Sequence, residues 1–161
     1  CCYAGMRYSD FTNLSKKNIV DINQETWLIY KSVKTGTEVR LPLYLLFAGK
    51  GIVILNKYRN NLEDFFHLRD NSNINKDLII IAKLAGLSKK ISFHTARHTN
   101  ATLLIYNGVN ITTVQKLLGH KSVKTTQVYT NIMDMTIVHD LEKIKQAALG
   151  IKKKTDNSFN K

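Results

Sequence analysis

The stretch that most restricts how this chain can fold is residues 91–131, ISFHTARHTNATLLIYNGVNITTVQKLLGHKSVKTTQVYTN. Asn107-Gly108 and Gly119 punctuate it. The pattern predicts a helix from about His94 to Tyr106, a short helix over Thr112–Leu118, and helical residues over 122–130. His94 and Arg97 stand three residues apart and so project from one side of the first helix. One can shuttle a proton; the other cannot lose its charge. His120 follows the glycine that ends the second helix, where backbone geometry can hold a side chain at a cavity edge. Tyr129 lies in the polar segment Lys124–Thr130, its hydroxyl free to meet solvent or a ligand. Taken one at a time, each has a bland explanation: a surface histidine, a surface charge, a helix stop and a packing aromatic. Only their order and spacing carry information.

The rest of the chain frames that stretch. Residues 1–20 read as helical, with Phe11 and Leu14 on one side and a polar stop at Ser15–Asn18. Thr26–Val33 and Thr37–Leu43 are rich in β-formers and flank Thr35-Gly36, which predicts an antiparallel hairpin with Pro42 at the end of an edge strand. Residues 44–59 read as a helix weakened by Gly49 and Gly51, and residues 69–76 as a loop. Leu78, Ile79, Ile81, Ala82 and Leu84 mark the buried face of a further helix capped near Gly86. A last helix over about 133–148 sets Met135, Val138, Leu141, Ile144 and Ala148 on one stripe. The tail, residues 150–161, is basic and expected to be disordered. No internal repeat and no long linker divides the body, so 161 residues imply one mainly α domain with a small β-hairpin or sheet.

Charge narrows the class of partner. Lys and Arg number 24 against 12 Asp and Glu, a net charge of +12. Only a minor part of the excess lies in the tail, so the body itself is basic. That favours a polyanionic partner, nucleic acid before a membrane surface. Cys1 and Cys2 are the only cysteines. Neighbouring cysteines do not readily bridge, and no Cys/His metal spacing occurs, which fits a reducing compartment without disulfide or zinc. No apolar run is long enough to span a membrane, and no signal peptide is visible. The chain opens on Cys-Cys-Tyr-Ala-Gly-Met-Arg, as if inside an element, and is expected to be a fragment of a longer protein.

HTARHT followed by LLGHKSVKTTQVY resembles the C-terminal signature of the tyrosine recombinases, the phage integrase family: His-x-x-Arg, then Gly-His, then a tyrosine nine residues on. His94, Arg97, His120 and Tyr129 match without adjustment. The family also has an arginine in a Gly-(Leu/Met)-Arg-x-Ser-(Glu/Asp) setting, supplied by Gly5–Asp10 with Arg7. Its hairpin lysine, in a Lys-x-Gly…Arg-x-Pro-Leu setting, corresponds to Lys34 in Lys34–Leu43. The similarity runs from Gly5 to about Asn131.

The resemblance implies a catalytic domain over residues 1–149, truncated at its N-terminus. It implies metal-free, nucleotide-free strand exchange on double-stranded DNA. Tyr129 would form a 3′-phosphotyrosyl link, Arg7 and Arg97 would hold the transition-state charge, and His94 would help accept the tyrosine proton. Lys34 would protonate the leaving 5′-oxygen, and His120 would hydrogen-bond a phosphate oxygen. His98 reads as structural, and Thr125 and Thr126 as contacting phosphate or capping the Tyr129 helix, with capping slightly favoured. No cofactor is implied. The partners implied are DNA and, in a full-length protein, a homotetramer on DNA; the fragment alone would be monomeric. The setting implied is the bacterial cytoplasm, on the nucleoid. An integrase of a mobile element is the first reading. A chromosome-dimer resolvase of the same family, a type IB topoisomerase and a non-catalytic DNA-binding protein are the alternatives.

Overall fold

In a computed structural model, residues 1–130 are described, together with residues 141, 142, 144 and 145. The expected long helix over residues 1–20 does not form. Gly5 has a left-handed φ of +61°, which ends the first turn, and its missing Cβ leaves room for Asn100 and Leu118. Helix α1 is only Tyr8–Phe11. Ile19–Ile22 is instead strand β1, paired antiparallel with β2 (Glu25–Lys31), which pairs with β3 (Glu38–Pro42). The hairpin expected from sequence is therefore two-thirds of a three-stranded sheet, and Pro42 ends its edge strand as anticipated.

The β1–β2 connection is a two-residue loop, Asn23-Gln24, with φ of 52° and 67°. Positive φ at both central residues is the type I′ turn that matches strand twist and prefers glycine at its second position. Gln24→Gly is expected to raise stability by roughly 0.5–1 kcal/mol, the left-handed penalty less the entropy of glycine. Chemical denaturation measures this, and a loss of stability would contradict the turn assignment.

Alternation in β2 and β3 sends Leu28, Tyr30, Val39 and Leu41 inward, with Leu28 opposite Leu41 and Tyr30 opposite Val39. The helix expected over residues 44–59 is broken. Phe47 and Ala48 are left-handed (φ 50° and 54°), and α2 starts only at Lys50, ending at Lys57. Helix α3 (Leu62–Phe66) adds Leu62 and Phe66 to the core.

Helix α4 (Asn71–Leu84) starts earlier than expected. The Asp70 side chain accepts from the backbone N–H groups of Ser72 and Asn73, so much of the expected loop is helix. Its buried face also differs. Ala82 is buried, whereas Ile79, Ile81 and Leu84 are exposed. Successive helical residues rotate by about 100°, and a run of adjacent apolar residues cannot all face one neighbour.

Helices α5 (Phe93–Tyr106), α6 (Ile111–Leu118) and α7 (Lys124–Gln127) follow the order and stops read from the sequence. Ser92 and Thr95 form a reciprocal capping box at the start of α5. Helix α6 packs on β3 and buries Val114 and Leu118. The fold is thus mostly helical around a small antiparallel sheet. Among the described residues, no helix is long and apolar enough to cross a membrane. The expected helix over 133–148 and the tail over 150–161 lie outside the described residues, except residues 141, 142, 144 and 145, which are helical with Leu141 and Ile144 exposed.

Candidate active site

Five structural pieces converge on one cluster. Arg97 points inward from α5 and is almost fully buried, at 1 % exposure. Its Nη1 donates to the Gly5 carbonyl at 2.7 Å, and its Nη2 donates to the Leu118 carbonyl at 2.6 Å and to Nε2 of His120 at 2.8 Å. One guanidinium thus ties the N-terminal turn, α5 and the end of α6 together. Burial is the first influence lowering its pKa, followed by the charge of Arg7.

His120 is placed by the way α6 ends. Gly119 is left-handed (φ +62°), and a Cβ there would come within 2.6 Å of the Val39 side chain. The His120 N–H donates back to the Gln115 carbonyl, and the Gln115 side chain donates to the His120 carbonyl, both at 3.0 Å. The ring is buried, with Nδ1 2.9 Å from the hydroxyl of Thr126. A guanidinium cannot accept, so Nε2 is the acceptor and Nδ1 carries the proton. Burial first, then Arg97, Arg7 and His94, pull the His120 pKa down to about 4.

A depressed histidine pKa means that the unfolded chain binds the extra proton first. The stability due to neutral His120 is complete above its ordinary value near 6.5 and is lost as pH falls toward 4. The pKa of His94 is lowered too, by burial first and then by His98, and adds in the same direction. At pH 4.5 the His120 share of the loss is about 2–3 kcal/mol. Thermal melts at pH 7 and 4.5 should show a steeper acid loss for the parent than for His120→Gln, and equal losses would contradict this.

Arg7 precedes α1, half-buried, with Nη1 3.1 Å from the Ser32 hydroxyl and 3.4 Å from Asp10. Asp10 is itself buried and accepts from the Val33 N–H at 2.8 Å and the Ser32 hydroxyl at 3.2 Å. This carboxylate anchors the base of the β2–β3 turn that carries Lys34. The Thr35 hydroxyl fastens the same turn to the Gly119 carbonyl at 3.0 Å. Lys34 is exposed, and its charge contributes to the lowered pKa of His94. The buried Tyr30 hydroxyl has no hydrogen-bond partner among the described residues. Its pKa is raised, by burial first and then by Asp10.

Tyr129 is buried, at 5 % exposure, and packs in the hydrophobic core rather than meeting solvent. Its ring meets that of His98 at 5.3 Å between centroids. His98 also meets His94, at 4.5 Å and nearly perpendicular. The structure therefore gathers Arg7, Arg97, His94, His120 and Tyr129 around one another, with Lys34 on the adjoining turn. His98, read from sequence as structural, sits between two of them. The i, i+4 spacing of His94 and His98 was the signal for that placement. Thr126, read as a helix cap, is fully buried and holds the His120 ring instead.

Residues 1–135 match the Phage integrase family. The chain is 30% identical over 159 residues to the tyrosine recombinase XerC of Rickettsia prowazekii, covering 93% of this chain and 49% of that protein. It is 44% identical over 149 residues to a tyrosine recombinase of Pseudothermotoga lettingae, covering 89% of this chain and 51% of that protein. Among solved structures, a crystal structure of XerA recombinase superposes with a TM-score of 0.71 at 28% identity, covering 89% of this chain and 55% of that one. The chain spans about half the length of the curated relatives it matches.

Proposed function

Since this chain belongs to the phage integrase family, we propose that it is the catalytic part of a site-specific DNA recombinase, an integrase of a mobile element, with Tyr129 as its nucleophile. The tyrosine oxygen attacks a backbone phosphorus. The new P–O bond replaces the bond to the 5′-oxygen, leaving a 3′-phosphotyrosyl link and a free 5′-hydroxyl. A 5′-hydroxyl from another strand reverses the step, so the phosphodiester energy is conserved.

Roles follow from chemistry at each position. The Tyr129 hydroxyl must shed its proton as it attacks. His94, exposed on α5 with its pKa lowered by partial desolvation and then by His98, Arg97, Arg7 and Lys34, suits a proton acceptor. Lys34, on an exposed turn anchored at its base, suits the donor to the leaving oxygen. Arg7 and Arg97 are fixed cations for the non-bridging oxygens, the dominant source of stabilisation in such a transition state. For His120 to hydrogen-bond the same group, its Nε2 must take up a proton and release Arg97. In this reading phosphate charge is met by arginine alone, without metal or ATP. The basic body holds duplex DNA by its phosphates, and the working form is a tetramer on DNA, in the cytoplasm.

The observation that carries this reading is the contact of Arg97 with His120 at 2.8 Å, on the same α5 helix whose His98 lies between His94 and Tyr129. A nicked duplex bearing the sequence that the full-length gene product protects from nuclease tests it. A detergent-stable protein–DNA adduct should form in EDTA without nucleotide. Cleavage that requires a divalent metal would sink the metal-free mechanism.

A further inference from the structure

Thr126 is fully buried, and its side-chain hydroxyl faces Nδ1 of His120 at 2.9 Å. Its backbone carbonyl accepts the N–H of Tyr129 at 3.0 Å. One residue therefore touches the ring of the candidate phosphate-binding histidine and the main chain of the candidate nucleophile. A helix cap would leave its hydroxyl on a backbone N–H at the start of α7, and the Thr126 hydroxyl is not there. The opposite nitrogen of His120 accepts from Arg97 at 2.8 Å. Arg97 and Thr126 thus grip the imidazole from both ends, and the Arg97 end fixes which nitrogen is protonated.

We propose that Thr126 is a positioning residue for strand cleavage. Its hydroxyl accepts the Nδ1 proton of His120 and holds that ring in one orientation. The proposal rests on the recombinase reading above for its effect on cleavage, but not for the contact itself. The logic is that of an outer-shell partner to a functional histidine, whose loss typically costs about 10–100-fold in activity. Nothing polar other than Thr126 is recorded at Nδ1 of His120 among the described residues.

The test compares Thr126→Val, which keeps the shape and removes the hydroxyl, with Thr126→Ser, which keeps the hydroxyl and removes a methyl. Two readouts are taken on the full-length protein. In single-turnover cleavage of the nicked duplex, Thr126→Val should slow the rate about 10–100-fold with DNA affinity unchanged. Thr126→Ser should stay within a few-fold of the parent. In nitrogen-15 NMR of the imidazoles, the parent should show a slowly exchanging Nδ1 proton on His120, which Thr126→Val loses and Thr126→Ser retains.

An unmoved His120 signal in Thr126→Val overturns the proposal whatever the rates. So does a Thr126→Ser variant as slow as Thr126→Val, because the methyl and not the hydroxyl would then matter. If the parent itself forms no adduct, the recombinase reading fails, and the imidazole spectrum alone still decides whether Thr126 positions His120.

Discussion

Tyr129→Phe is expected to abolish strand cleavage and covalent adduct formation while DNA binding survives. The substitution removes one oxygen atom. The Tyr129 ring packs in the core and against His98, and phenylalanine preserves both contacts. The fold should therefore be untouched, and any loss of cleavage belongs to the missing nucleophile. A covalent mechanism with its nucleophile removed loses the chemical step itself, so the drop should reach the detection limit. Burial of Tyr129 adds a second expectation. The phenol must become accessible to a phosphate for attack, so a rearrangement around residues 124–130 should accompany productive DNA binding. Tyrosine fluorescence or amide exchange in this segment, with and without the nicked duplex, reads it directly. A segment equally protected in both states would contradict attack by Tyr129.

The second large effect falls on Arg97. Arg97→Ala should slow cleavage by about 100-fold or more, the typical cost of losing a preorganised donor to a charged transition state. It should also destabilise the protein, which distinguishes it from a surface cation. Its guanidinium satisfies the buried carbonyls of Gly5 and Leu118, and orphaning two such groups costs about 2–6 kcal/mol. Arg97→Lys separates the two roles. It keeps one positive charge but loses the planar fork that reaches Gly5, Leu118 and His120 together. The expected result is partial recovery of stability and little recovery of cleavage. Cleavage near the parent rate in Arg97→Lys would mean that charge alone suffices and that the geometry of the fork is incidental.

These expectations show how far the sequence reaches. The β2–β3 hairpin and helices α5 and α6 were legible because each is bounded by local chemistry: Gly36 and Pro42, Asn107-Gly108 and Gly119. Strand β1 was not. Ile19–Ile22 is four residues, too short to show a period, and it becomes a strand only by pairing with β2. The turn that joins them contains no glycine. Left-handed residues at Phe47 and Ala48 broke a segment whose composition alone favours a helix. Those features are decided by contacts distant in sequence.

In the candidate site, the six titratable residues were singled out by resemblance to the family's motifs, since each taken alone had a bland explanation. The supporting shell was not. Asp10 appears in sequence as the last position of the Gly5–Asp10 motif with no role of its own, yet it is buried and holds the Lys34 turn to Arg7. Thr126 reads as a helix cap and His98 as structural; packing shows the first gripping His120, and the second, whose i, i+4 spacing pointed to His94, also meeting Tyr129. Such roles depend on which side chains face each other across elements, and a one-dimensional pattern does not record that.

The central claim is that these side chains form one phosphoryl-transfer site with Tyr129 as the attacking group. Its most direct test is mass spectrometry of the trapped protein–DNA adduct after protease and nuclease digestion. The expected result is a 3′-phosphonucleotide on the peptide containing Tyr129, with a free 5′-hydroxyl on the released strand. A nucleotide attached to any other residue, or a 5′-phosphate linkage, would contradict it.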